Sequence, residues 1–409
     1  MTLSTDRTER LNRQEPSHFA FIDAVRGLAF LSVLTLHSAL SVGPFYGRNV
    51  LAQGGYGVQL FFLASAITLC FSMASRQNID KYPVLYFFVR RLFRIAPLFW
   101  LAILFYWIFP GVMPSFWLSQ WAPDGVRPAY FALTALFLHG WHPYTFNSIV
   151  PGGWSIAVEM TFYLFFPFLF RFLSGSLKRT VIMLLAAVFC LKIGEHIFPH
   201  LRHYLFPGVP ANVWGFFINL WFPSQLPVFL VGFLACEILR DDSVKRVVKD
   251  RFWALFLFLS CAMLLLSILR GESGFLPNLI LVVLILAAMI IVMSGGATPW
   301  LVNPLVCYIG KISYSCYLVH FGALGLTLKM FHVHLSANLT SFDSGHSVLN
   351  FLAFAKILAI TLVLTVVVST VTLHLIENPG IALGRRIIRS IGDSSRRTGN
   401  VRNFAGGTP

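Results

Sequence analysis

Four sets of polar residues sit inside or beside long apolar stretches, where a charged side chain is costly and is kept for a purpose. In the first, Asp23 and Arg26 stand at i,i+3 and can pair on a helix. His37 follows Arg26 by eleven residues, about 1100° of helical rotation, so the two share a face about 16.5 Å apart. Next comes Gly152-Gly-Trp-Ser-Ile-Ala-Val-Glu159, in which Trp154 and Ser155 begin a span and Glu159 lies about 7 Å below its outer end. Counted from the other side of a roughly 30 Å core, His37 lies about 13 Å below that boundary, so the two depths permit contact. A third set, Ser313, Tyr317 and His320, has i, i+4, i+7 spacing and makes one polar face on an apolar helix. Last, Arg90, Arg91 and Arg94 open another span, with Arg90 and Arg94 stacked at i,i+4 as a fork suited to phosphate. An imidazole that can take a hydroxyl proton and a phosphate grip on the opposite side suit group transfer from a phosphate-bearing donor. Each set also has a plainer reading: a packing histidine, a glutamate reaching toward water, a hydrogen-bond stripe between helices, a topology anchor.

The elements that position these residues follow from composition. Of 409 residues, 57% are hydrophobic and 11% charged, whereas soluble domains carry about 25% charged residues. An all-α polytopic membrane protein is the class this leaves, since a span needs about 20 apolar residues. Apolar stretches lie at 19–40, 56–75, 94–110, 154–173, 180–198, 219–239, 253–270, 275–293, 304–327 and 351–376. They predict about ten transmembrane helices. A shorter piece, 129–140, reaches only about 18 Å and is expected to be re-entrant or to lie on the surface.

The formal net charge is +15, from 31 Lys+Arg against 16 Asp+Glu. Basic residues cluster in the N-terminal tail, 76–94, 171–179, 240–251 and the C-terminal tail, and alternate loops hold few, so membrane topology explains the charge and nucleic acid does not. Both termini are then expected in the cytoplasm. The expected organisation is a basic tail at 1–18, a transmembrane domain at 19–380, and a basic tail at 381–409 that is disordered or lies on anionic lipid. Six cysteines fall in apolar stretches without CxxC pairing and read as core residues. His196, His200 and His203 straddle Pro199 without a convincing ligand geometry, so no metal site is expected.

In order and spacing, Arg26 and His37, Gly57-Val-Gln-Leu-Phe-Phe-Leu-Ala-Ser-Ala66, the Arg90–Arg94 segment, Trp154-Ser…Glu159…Phe162-Tyr…Pro167, Ile312-Ser-Tyr…Tyr317-Leu…His320 and Glu377-Asn-Pro379 together resemble the membrane acyltransferase-3 family. The resemblance runs over nearly the whole chain. It implies a multi-pass enzyme of the bacterial inner membrane that moves an acyl group, usually acetyl from cytoplasmic acetyl-CoA, to a hydroxyl of a carbohydrate. The acyl-CoA is a donor substrate, and no permanently bound cofactor is expected. In the family's pattern the essential histidine corresponds to His37, with Arg26 as its companion. Two departures concern the polar network: Met160 and Thr161 stand where the family often has Glu and Gln, and Gln59 where it often has Asp.

These features nominate His37, Glu159 and Arg26 as catalytic, Arg90, Arg91 and Arg94 as donor-binding, and Trp154, Ser155, Tyr317 and His320 as substrate-binding. Glu159 is expected to orient or stabilise the His37 imidazolium, and Arg26 to position the donor. The rival class is a transporter or flippase that uses the same groups as a substrate path.

Overall fold

The computed structural model describes residues 20–112, 120–122, 125–269, 278–331 and 344–404. Every regular element among them is helical. In chain order the main helices are α1 (Ala20–Leu40), α2 (Gly57–Arg76), α3 (Pro83–Ile108), α4 (Pro128–Ala135), α5 (Gly153–Leu173), α6 (Leu177–Leu205) and α7 (Ala211–Leu220). They continue with α8 (Phe222–Arg240), α9 (Arg251–Leu269), α10 (Asn278–Ser294), α11 (Pro304–Lys311), α12 (Ser313–Met330), α13 (Ser344–Thr372) and α14 (Asn378–Phe404). Seven described helical segments are long and apolar enough to cross a membrane. The chain is a polytopic membrane protein.

With no hydrophobic drive between helices inside lipid, close packing and small residues must hold the bundle. α1, the helix of Arg26 and His37, lies against α11 and α2. A Cβ at Gly27 would run into the carbonyl oxygen of Val306, and one at Gly310 into that of Asp23. Only glycine permits that backbone-to-backbone approach, and it fixes the height of α1 against α11. A column of aromatic rings joins α2, α5 and α8: Phe62 lies 4.8 Å and Phe162 3.9 Å from Phe229, and Phe166 lies 5.7 Å from Phe233. α6 and α9, by contrast, present most of their apolar side chains outward, as helices facing lipid do.

Several boundaries differ from the hydropathy reading. The stretch 304–327 is not one helix, because the chain breaks at Ile312 between α11 and α12. α3 begins at Pro83, ahead of the apolar stretch at 94–110, so Arg90, Arg91 and Arg94 project from the same helix. The 129–140 piece holds the eight-residue α4 and a tight turn at His139–Trp141. The tail expected to be disordered or to lie on anionic lipid carries a helix: after one wide turn at Leu373–Glu377, α14 runs to Phe404. Its first turns lie on α3, with Gly380 and Gly384 against Phe93. The 1–18 tail lies outside the described residues.

Residues 142–152 form no regular helix, yet 145–152 are all buried. Irregular backbone inside a membrane protein is tolerated where protein satisfies its polar groups. That is the case here: Thr145 donates to the His139 carbonyl (2.8 Å), and the Asn147 side-chain oxygen accepts from the Gly152 N–H (2.9 Å). The packed loop delivers the chain to the start of α5.

Candidate active site

Two cavities meet inside the bundle, and the nominated residues divide between them. The lower one, about 70 Å³, is lined by Arg26 from α1, Ser65 from α2, Arg91 and Arg94 from α3, Glu159 and Tyr163 from α5, and Ser313 and Tyr317 from α12. The upper one, about 950 Å³, is lined by His37, Gln59, Trp154, Asn147, Gln225 and Phe321 among others. Val58 and Tyr317 line both, so the two spaces share a wall of those side chains. The one-face placement of Arg26 and His37 expected from their spacing therefore holds, with Arg26 below that wall and His37 above it.

Three guanidiniums dominate the lower cavity. Arg26 donates to the Thr68 hydroxyl at 3.1 Å and approaches Asp23 only at 3.9 Å, so the expected ion pair is loose. Arg91 lies between the Phe87 and Tyr163 rings, 6.0 and 5.9 Å from their centroids. Its buried Nε–H has no partner among the described residues, although buried donors are nearly always paired. An anionic ligand would satisfy it. Arg94 lies within electrostatic reach of Arg26, Asp23 and Glu377. Arg90, nominated with Arg94 as the phosphate fork, is not brought together with it: it pairs with Asp80 at 2.6 Å and does not line the cavity. On a helix Arg90 and Arg91 point about 100° apart, and only the latter faces inward.

Glu159 accepts hydrogen bonds from Ser65 and Tyr163, each at 2.5 Å. It also lies within electrostatic reach of Arg26 and Arg91. No hydrogen bond joins it to His37 among the described residues, and the two line different cavities. The depth estimate placed the two at similar heights but could not fix their azimuth around the bundle. Tyr163, four residues on from Glu159, is a legible i,i+4 partner that sequence reading passed over.

The start of α5 forms the rest of the shared wall. Gly152 has φ +75°, a left-handed conformation that favours glycine, and a Cβ there would sit 3.1 Å from the Tyr317 hydroxyl. Its carbonyl accepts from Ser155 (3.0 Å) and from Tyr317 (3.1 Å), whose hydroxyls lie 2.9 Å apart. Ser155 and Tyr317 are thus tied to each other across α5 and α12. His139 supports the same corner from behind, its Nε2–H donating to the Gly153 carbonyl at 2.9 Å. Nothing in the sequence distinguished that histidine, because its partner is backbone.

In the upper cavity His37 is partly exposed, its ring 4.5 Å from Phe321 and 5.5 Å from His320. His320, nominated for substrate binding, is fully buried behind His37 and lines neither cavity. Trp154 does line the upper cavity, edge-on to Phe62 at 6.2 Å. Gln59, at the position where an aspartate is common, donates to the side-chain oxygen of Gln225 at 3.1 Å. That uncharged pair fills the place where a carboxylate would otherwise need a cation.

Residues 19–370 match a family model described as an acyltransferase domain. The chain belongs to the acyltransferase-3 family. It is an acyltransferase of the membrane, and that membership sets aside a pure transporter. Among the proteins similar to this acyltransferase, the acyltransferase MdmB of Streptomyces mycarofaciens is 26% identical over 366 residues, 83% of this chain and 84% of that one. The O-acetyltransferase OatA of Staphylococcus aureus is 23% identical over 336 residues, 78% of this chain and 53% of that one. The chain thus spans about half the length of OatA. No solved structure matches.

Proposed function

We propose that this acyltransferase moves an acyl group, acetyl in the first instance, from cytoplasmic acyl-CoA to a carbohydrate hydroxyl presented from the opposite side of the bacterial inner membrane. The observation that carries the reading is the wall shared by the arginine-lined cavity and the cavity of His37. In this reading α3, α10 and the broken α11–α12 pair join the seven long apolar segments as crossings, giving ten with both termini in the cytoplasm.

Three cations against one carboxylate make the lower cavity attractive to an anionic donor. At about 70 Å³ it holds a few waters and no nucleotide. The diphosphate and nucleotide therefore stay at its mouth, held by Arg91 and Arg94, while the thin thioester arm advances past Arg26. Glu159 keeps the guanidiniums of Arg26 and Arg91 in place by charge. Above the wall, amide side chains and aromatic rings suit a polyhydroxylated acceptor, with Trp154 offering a flat apolar face and Gln59, Gln225 and Asn147 offering hydrogen bonds.

His37 then takes the acceptor's hydroxyl proton as the oxygen attacks the thioester carbonyl. Collapse of the tetrahedral intermediate breaks the C–S bond, and the thiolate leaves with the proton from His37. In the two-step variant the imidazole carries the acyl group between donor and acceptor. The Ser155–Tyr317 pair holds the junction open to a narrow chain and closed to bulk water.

The name of OatA supports transfer to oxygen, and the size of the upper cavity supports an acceptor larger than a single small metabolite. Mass spectrometry of surface glycans from cells with and without the gene tests the reading. Loss of an acetyl increment on deletion is expected. Unchanged glycans, together with no acetyl-CoA turnover by the purified protein in the presence of those glycans, would refute it.

A further inference from the structure

His320 is fully buried and lies outside both cavities, yet it is adjacent to the imidazole the reaction depends on. Its Nδ1 lies 2.7 Å from the carbonyl oxygen of Tyr317. A carbonyl only accepts, so Nδ1 carries the proton and a neutral ring leaves Nε2 as a bare acceptor. That Nε2 is buried and has no partner among the described residues. An unpaired acceptor in a membrane interior is expensive to maintain, so a donor should be near.

Four rings surround His320: Phe30 at 6.0 Å, His37 at 5.5 Å, Tyr317 at 5.6 Å and Phe321 at 4.2 Å. The two phenylalanines have nothing to donate. The Tyr317 hydroxyl is committed to Gly152 and Ser155. His37 is the remaining one, and its own imidazole makes no hydrogen bond among the described residues. The last torsion of a histidine side chain is broad, so its ring can turn toward Nε2 at little cost.

We infer that His320 is a positioning residue whose bare Nε2 accepts a hydrogen bond from one ring nitrogen of His37, fixing the tautomer in which the other nitrogen presents its lone pair to the acceptor hydroxyl. This rests on the proposed role of His37 as base. When His37 takes the hydroxyl proton, the N–H shared with His320 spreads the new positive charge over two rings. When the thiolate leaves, the proton it collects is the one taken from the hydroxyl, and the pair returns to its starting state. A histidine here does what a carboxylate does for a catalytic imidazole elsewhere, without placing a second charge in the membrane.

Three variants separate this from a purely structural role. His320→Leu keeps bulk and removes both nitrogens. His320→Asn keeps a donor near the position of Nδ1, and His320→Gln keeps an acceptor near the position of Nε2. The measurement is acetyl-CoA-dependent transfer in membranes holding matched amounts of each protein, with kcat and KM for acetyl-CoA determined separately. The expectation is a kcat roughly 10- to 100-fold lower for H320L and H320N with KM unchanged, and recovery of about tenfold or more in H320Q. Rescue by Asn and not by Gln would assign His320 to holding the Tyr317 carbonyl and overturn the inference. Wild-type kcat in H320L, or equal loss in all three variants, would overturn it as well. Transfer persisting in H37A would remove the reading beneath it, whereas an inactive H37A beside a fully active H320L would remove this inference alone.

Discussion

His37→Ala is expected to lower acyl transfer by about 10²- to 10⁴-fold, the range a positioned general base contributes. The loss should fall on kcat, because the groups assigned to the donor line a different cavity and are untouched by the change. KM for acetyl-CoA is expected to stay within about threefold of wild type, which is under about 0.7 kcal/mol. The side chain is partly exposed to the upper cavity and makes no hydrogen bond among the described residues, so the variant should accumulate in membranes normally. Radiolabelled acetyl-CoA supplied to those membranes, with alkali-labile label counted on the glycan fraction, gives the number. A raised KM with unchanged kcat would place His37 in donor binding instead.

The second large effect separates neighbouring arginines. Arg91→Ala and Arg94→Ala are each expected to raise KM for acetyl-CoA by roughly 10- to 100-fold, since a charge-assisted hydrogen bond contributes about 1.5–3 kcal/mol. Arg90→Ala should change it less than about threefold, because Arg90 is paired with Asp80 and turned away from the cavity. Kinetics with each single variant check the contrast. An equal rise for Arg90→Ala would mean that the phosphates ride along the cytoplasmic surface of α3 rather than entering beside Arg26. Arg91→Ala at wild-type KM would leave its unpartnered buried Nε–H without a ligand.

Axial order was legible in the sequence, and azimuth was not. The eleven-residue interval between Arg26 and His37 placed them on one face of one helix, and they do line successive cavities along it. Ser313 and Tyr317 likewise face the cavities as their spacing requires, with His320 one turn above. The partners of Glu159, Ser65 and Tyr163, were not foreseen, because depth within a span says nothing about which neighbour its helix turns toward. Arg90, Arg91 and Arg94 were nominated together, and what separates Arg90 from the other two, its partner Asp80, sits ten residues away in a loop where no periodicity marks it. The break at Ile312 was hidden because both flanking segments are apolar. The burial of the loop at 142–152 was not legible, because it carries no helical or alternating pattern and its polar groups are satisfied by one another and by nearby backbone. The Gln59–Gln225 pair was hidden because it joins elements 166 residues apart, and His139 because its partner is the backbone of Gly153.

The central claim is that two reactants reach one imidazole from opposite faces of the membrane through adjoining cavities. Sealed vesicles test it most directly, prepared inside-out and right-side-out from cells making the wild-type protein or H37A. Radiolabelled acetyl-CoA, which does not cross the bilayer, is added outside, and alkali-labile label on the glycan is counted. The expected result is labelling of inside-out vesicles holding glycan in the lumen, none in right-side-out vesicles, and none in either orientation with H37A. Equal labelling in both orientations, or full labelling by H37A, would contradict the account.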